Sequence, residues 1–152
     1  MTLQEYLQSL RGRRLAVIGI GVSNPPLLKL LLEAGLDVTA CDRKDRTALG
    51  AMAEELERAG CALRLGADYL EGLDHDVIFR TPGLHPRYLE EAKSRGSTIT
   101  SEMEVFFEVC PCPILAVTGS DGKTTTTTII ARLLERAGHT VHLGGNIGHP
   151  LL

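Results

Sequence analysis

Short apolar runs that end in turn residues, each giving way to a segment with helical spacing, recur through this chain, and they leave few folds open. Arg14-Leu15-Ala16-Val17-Ile18 runs into Gly19-Ile20-Gly21-Val22-Ser23-Asn24. Pro25 to Ala34 then carries apolar residues at 27, 28, 30, 31 and 34, and Gly35 closes it. That spacing predicts a helix, with a proline in its first turn and glycine past its end. Val38 to Cys41 reads as a second strand that delivers Asp42 at its carboxyl end. Ala48 to Ala59 predicts another helix, and Cys61–Leu65, Asp76–Phe79 and Ser97–Thr100 three more strands, with a helix opening at Pro86 before the last. Strands alternating with helices imply α/β architecture: a Rossmann-like parallel five-stranded sheet with flanking helices.

The first loop is one residue away from G-x-G-x-x-G, with Asn24 in the place of the third glycine. Glycines let backbone N–H groups approach phosphate oxygens, and a helix N-terminus adds partial positive charge. Gly19, Gly21, Val22, Ser23 and Asn24 are therefore expected to seat a diphosphate on the start of the helix. Asp42 stands where an acid that bonds a ribose is expected, the plain alternative being a solvated acid at a strand end. Thr81-Pro82-Gly83 forms a turn at the same edge of the sheet.

A second loop follows a break. Two prolines in Cys110-Pro111-Cys112-Pro113 cannot continue a helix, which predicts a boundary between a domain over 1–110 and a second starting at 113 and running to 152. Pro113 to Thr118 reads as a buried parallel strand, Gly119-Ser120-Asp121-Gly122 as a tight loop, and Lys123-Thr124-Thr125 as the opening of an amphipathic helix. Position 117 is Val and not Gly, so the full P-loop pattern shortens to G-x-x-G-K-T. The parts still suit a phosphate cradle, with Lys123 neutralising terminal phosphates and the Thr124 hydroxyl holding Mg²⁺. The alternative is an ordinary turn with a solvated lysine. His139 to Leu143 reads as a further strand before the loop Gly144-Gly145-Asn146-Ile147-Gly148. Two phosphate-bearing ligands facing each other across the linker is the chemistry these loops imply.

Other features exclude function classes. A net charge of −3 gives no basic footprint for nucleic acid. No apolar run approaches a membrane span of about 18 residues, and Met1 to Arg14 lacks a signal-peptide core. Cys41, Cys61, Cys110 and Cys112 fit reduced thiols of the cytoplasm better than a disulfide framework. His75, His85 and His149 are expected in loops, solvated; Met103, Phe106, Phe107 and Cys110 are expected as one core stripe of a helix capped by Ser101-Glu102-Met103-Glu104.

Gly19-Ile-Gly-Val-Ser-Asn, Arg80-Thr-Pro-Gly, Ser101-Glu-Met-Glu, Thr118-Gly-Ser-Asp-Gly-Lys-Thr-Thr-Thr and Gly144-Gly-Asn-Ile-Gly occur in this order. The ordered set, covering the chain from Arg14 onward, resembles the Mur ligases of peptidoglycan synthesis, and among them the branch that adds D-glutamate. The resemblance implies that the Gly19–Asn24 loop and Asp42-Arg43 hold the uridine diphosphate of UDP-N-acetylmuramoyl-L-alanine, with Thr81-Pro82-Gly83 lining the cleft and Asn146 near the reacting end. It implies that Gly119 and Ser120 to Thr125 bind ATP, with Lys123 on the γ-phosphate and Thr124 on Mg²⁺. The substrate carboxylate would attack ATP to give an acyl phosphate, which the amine of D-glutamate then opens. The family pattern has a complete ATPase domain and an amino-acid domain, so the chain reads as a monomeric, inactive N-terminal fragment without a D-glutamate site. A non-catalytic nucleotide-sugar or dinucleotide binding module, or a sister ligase adding another amino acid, remain the alternatives.

Overall fold

The structure is a computed structural model that describes residues 1–21 and 24–145. Two compact units divide the chain, Met1–Val109 and Cys110–Leu151.

In the first unit, helix α1 (Leu3–Ser9) starts in a full capping box between Thr2 and Glu5. Strand β1 (Arg14–Ile18) follows, then helix α2 (Pro25–Glu33) and strand β2 (Asp37–Asp42). The helix expected over 48–59 forms as two pieces, α3 (Arg46–Leu49) and α4 (Ala51–Arg58), because Gly50 between them takes φ +55° and ψ −129°, far from helical values. Strands β3 (Ala62–Leu65), β4 (Val77–Phe79) and β5 (Thr98–Thr100) complete the sheet. Pro86–Leu89 is a 3₁₀ turn leading into α5 (Glu90–Ser94), and α6 (Glu102–Val109) ends the unit.

All five strands are parallel, in the order β3-β2-β1-β4-β5. Strand β1 is central, and its side chains alternate between two cores. Leu15 and Val17 pack with Tyr6 and Leu10, with Leu27, Leu28 and Leu31 of α2, and with Val105 and Val109 of α6. Ala16 and Ile18 face the other layer, with Ile78, Leu84, Leu89 and Ala92. Burial on both faces is why these strands read as continuous apolar runs.

Several expectations need correction. Met103 and Phe107 are exposed, and α6 buries Val105 and Val109 instead, an i, i+4 pair on the face turned to the sheet. Phe106 and Cys110 are half-buried. His75 is buried, because its loop leads straight into β4, while His85 is exposed and caps the 3₁₀ turn by accepting from the N–H of Arg87 at 3.2 Å. His149 lies outside the described residues.

In the second unit, helix α7 (Lys123–Arg136) forms as expected. The runs Pro113–Thr118 and His139–Leu143 do not form strands. A strand exists through its ladder, and among the described residues no ladder partner is present for either run. Ile114 and Leu115 are accordingly exposed, as are Ile129 and Leu133 on α7, and Ala131 is the one buried residue described in this unit.

Candidate functional site

The strand order reverses between β1 and β4, and in open α/β sheets it is outside the carboxyl ends of the strands at such a point that ligands bind. That point carries the Gly19–Gly21 loop after β1 and Arg80-Thr81-Pro82-Gly83 after β4, while β2 brings Asp42 and Arg43 to the same carboxyl edge. Gly19 has φ +88°, and its N–H extends the ladder by donating to the Cys41 carbonyl at 2.7 Å. A Cβ on Gly19 would stand 3.2 Å from both Cβ and Cγ2 of Thr81. Glycine is thus required twice, for the dihedral and for the close approach.

Asp42 ties this edge together. Its Oδ2 accepts from the N–H of Ile20 at 2.7 Å and its Oδ1 from the N–H of Lys44 at 2.9 Å. Asn24 is 2% exposed, and its Nδ2 donates to the carbonyls of Ile18 and Gly19, each at 2.9 Å. Arg43, Pro82 and Gly83 are exposed, and Thr81 is half-buried. Val22 and Ser23 lie outside the described residues, as does Asn146. Tyr69, in the loop after β3, was not singled out by sequence. Burial raises its phenol pKa, with the positive charge of Arg43 opposing the shift and the negative charge of Asp42 adding to it. Its signal was position alone: an aromatic in a carboxyl-edge loop.

The second unit carries its own anion-seeking feature. Gly122 takes the left-handed conformation, φ +72°, as the N-cap of α7, and Gly119 takes φ +151°. The ammonium of Lys123 turns back over the loop, donating to the carbonyls of Gly119 and Ser120, the latter at 2.9 Å. Thr127 and Thr128 turn their hydroxyls onto the carbonyls of Lys123 and Thr124, at 2.7 and 2.8 Å, as β-branched hydroxyl residues do inside a helix. Thr124 and Thr125, in the first turn, are exposed, as are Ser120 and Asp121. Lys123 and the first-turn amides gather positive charge at one helix end. Among the described residues, no group of three or more His, Cys, Asp or Glu gathers to hold a metal.

Comparison with known proteins adds to this geometry. Residues 117–150 match the Mur ligase middle domain. The UDP-N-acetylmuramoylalanine–D-glutamate ligase of Clostridium botulinum (strain Okra / Type B1) is 49% identical over 151 residues, covering 97% of this chain and 33% of the relative. That of Ruminiclostridium cellulolyticum is 49% identical over 153 residues, covering 99% and 33%. The chain thus spans about a third of the length of the curated relatives it matches. Among solved structures, the UDP-N-acetylmuramate:L-alanyl-gamma-D-glutamyl-meso-diaminopimelate ligase from Neisseria meningitides superposes with a TM-score of 0.51 at 28% identity, over 83% of this chain and 40% of that one. A pseudomurein peptide ligase type C from Methanothermus fervidus shares the fold, with a TM-score of 0.50 at 23% identity over 84% of this chain and 27% of its own.

Proposed function

The chain is related to the Mur ligases along 97% of its length, and on that premise we propose that it supplies the sugar-nucleotide-binding domain, 1–110, and the opening of the ATP-binding domain, 113–152, of a cytoplasmic, monomeric UDP-N-acetylmuramoyl-L-alanine–D-glutamate ligase. The whole enzyme would join D-glutamate to the sugar nucleotide in peptidoglycan synthesis, at the expense of ATP. What supports this most is the convergence, at the β1–β4 switch point, of the glycine loop, Asp42-Arg43 and Thr81-Pro82-Gly83, on a chain 49% identical to ligases of that name.

Each part has a physical task. The loop at Gly19–Asn24 would hold the diphosphate, with Val22 and Ser23 contributing within it, and Asp42 and Arg43 would hold the uridine. Asn146 would lie near the carboxylate that reacts. Gly119, Ser120, Asp121, Gly122 and Thr125 would wrap the phosphates of ATP with backbone N–H groups. Lys123 would leave the Gly119 and Ser120 carbonyls for the γ-phosphate, stabilising the charge that builds as the phosphoryl group moves to the carboxylate. Thr124 is the residue fitted to hold Mg²⁺ beside the phosphates, where the ion would neutralise their charge. The resulting acyl phosphate carries a carbonyl that the amine of D-glutamate attacks, with phosphate leaving.

Calorimetric titration of the chain with UDP-N-acetylmuramoyl-L-alanine and with NAD tests the assignment. Binding of the first without the second is the expected result. Tighter binding of NAD would replace it with a dinucleotide module.

A further inference from the structure

Cys110 and Cys112 stand apart from the other two cysteines. Cys41 and Cys61 lie at the sheet, 0% and 5% exposed, each with its sulfur against a backbone carbonyl, Cys61 at 3.4 Å from that of Val38. Burial raises both thiols above their ordinary range. Cys112 is exposed and Cys110 half-buried, and they follow directly on the end of α6, where the second unit begins. The Cys110 thiol donates to the Cys112 carbonyl at 3.6 Å, and the chain bends at Cys112. The sulfur of one thus already lies against the backbone of the other.

The spacing suits a bond between them. No peptide among the described residues is cis, so two trans steps hold the Cα atoms of Cys110 and Cys112 at most about 7 Å apart. Pro111 fixes φ at about −65°, which excludes the fully extended form. A disulfide spans roughly 4.4–6.8 Å between Cα atoms, so the two residues reach bridging range without displacing any helix or strand. Metal binding fits less well. Among the described residues, no group of three or more His, Cys, Asp or Glu includes the pair, and zinc takes four such ligands. A structural disulfide also fits less well, because closing so short a loop restrains the unfolded chain least. Exposed disulfides are the labile ones.

We propose that Cys110-Pro111-Cys112 is a reversible redox site, a dithiol that low-molecular-weight disulfides close into an intramolecular bond at the head of the second unit. The step is thiol–disulfide exchange. The Cys112 thiolate, the more exposed, attacks one sulfur of the small disulfide RSSR, forms a mixed disulfide and expels RS⁻. The Cys110 thiolate then attacks the Cys112 sulfur; the Cys110–Cys112 bond forms and the second RS⁻ leaves. The protein gives up two electrons and two protons, and RSSR takes both to become two RSH. Cys110 resolves the mixed disulfide because its sulfur is already beside Cys112. Closure fixes three residues of the connection that carries the chain from α6 towards the Lys123 loop. Oxidant in the surroundings is thereby recorded at that joint while the buried thiols of the sheet stay reduced. This holds whichever ligands the two glycine loops take.

The test uses the 152-residue chain and oxidised glutathione, read by mass spectrometry after free thiols are trapped with iodoacetamide. The native chain is expected to lose two hydrogens, with the new bond mapped by peptide digestion to Cys110 and Cys112. Cys41 and Cys61 are expected to be alkylated only after denaturation. Cys110→Ser and Cys112→Ser should each hold one glutathione as a stable mixed disulfide instead, formed at least threefold faster on Cys110→Ser, which keeps the exposed thiol. A hundredfold excess of reduced over oxidised glutathione is expected to leave the pair open, and dithiothreitol to reopen a closed one with two reactive thiols regained. Two glutathione adducts on the native chain without a bond, a bond mapped to Cys41 and Cys61, or no reaction at all overturns the proposal. A faster adduct on Cys112→Ser reverses the order of attack and overturns the roles given to the two thiols. A bond that persists under the excess of reduced glutathione makes the pair structural and overturns its reversibility.

Discussion

Gly19 and Thr81 belong to loops leaving neighbouring strands, and they meet so closely that an added Cβ on the glycine would lie 3.2 Å from two carbons of the threonine. With φ at +88°, Gly19 also sits where side-chain-bearing residues are strained. Gly19→Ala is therefore expected to cost about 1–3 kcal/mol of stability, read from urea unfolding. Adding Thr81→Ser removes the Cγ2 contact and should recover part of that loss but not the dihedral strain. A Gly19→Ala protein as stable as wild type would mean the loop relaxes freely.

Lys123→Ala in the full-length enzyme is expected to lower ATP-dependent turnover a hundredfold or more, because one pre-organised charge at the transferring phosphoryl group is lost. ADP release is the measurement. Near-native turnover would remove Lys123 from its role.

His75 is buried, and among the described residues its Nδ1 has no hydrogen-bond partner. Burial holds its pKa below the usual 6.5, with Asp74 pulling the other way and Arg64 and Arg14 adding to the depression. Well above pH 6.5 the imidazole is neutral whether the chain is folded or not, so it contributes no pH dependence there. Below 6.5 the unfolded chain takes up a proton that the folded one resists, so stability falls with pH down to the depressed value and then levels. The Asp74 carboxyl, whose pKa Arg14 lowers, acts only in more acid solution. Melting curves between pH 7.5 and 5 should show a decline of up to one proton's slope that His75→Gln flattens. Parallel curves for the two proteins would rule this out.

Burial pushes the Cys41 thiol up to about 12 and raises that of Cys61 as well. Cys112 is exposed and Cys110 half-exposed. A chromogenic disulfide reagent should titrate two thiols quickly in the native protein and all four after denaturation. Rapid reaction of all four in the native state would show that the sheet opens on the timescale of labelling.

Most of the first unit was legible because its strands are buried on both faces and its turns carry Gly, Pro or Asp, the residues with the firmest local preferences. The carboxyl-edge loops could be placed from the same rhythm. Side-chain partnerships could not: nothing in the spacing announces that Asn24 reaches two carbonyls, or that Asp42 gives both oxygens to backbone amides. Met103 and Phe107 misled because hydrophobicity outweighed register, whereas the sheet accepts Val105 and Val109. Pro113–Thr118 misled for another reason. A strand is a property of two segments, and local composition describes one.

Strand β1 assigns Leu15 and Val17 to one layer and Ala16 and Ile18 to the other. A single-residue deletion within it would exchange the two sets, leaving a methyl group where three helices now meet a leucine. Length variation among descendants of this chain should therefore accumulate in the connections, with the central strand serving as the fixed ruler against which every loop at the carboxyl edge is measured.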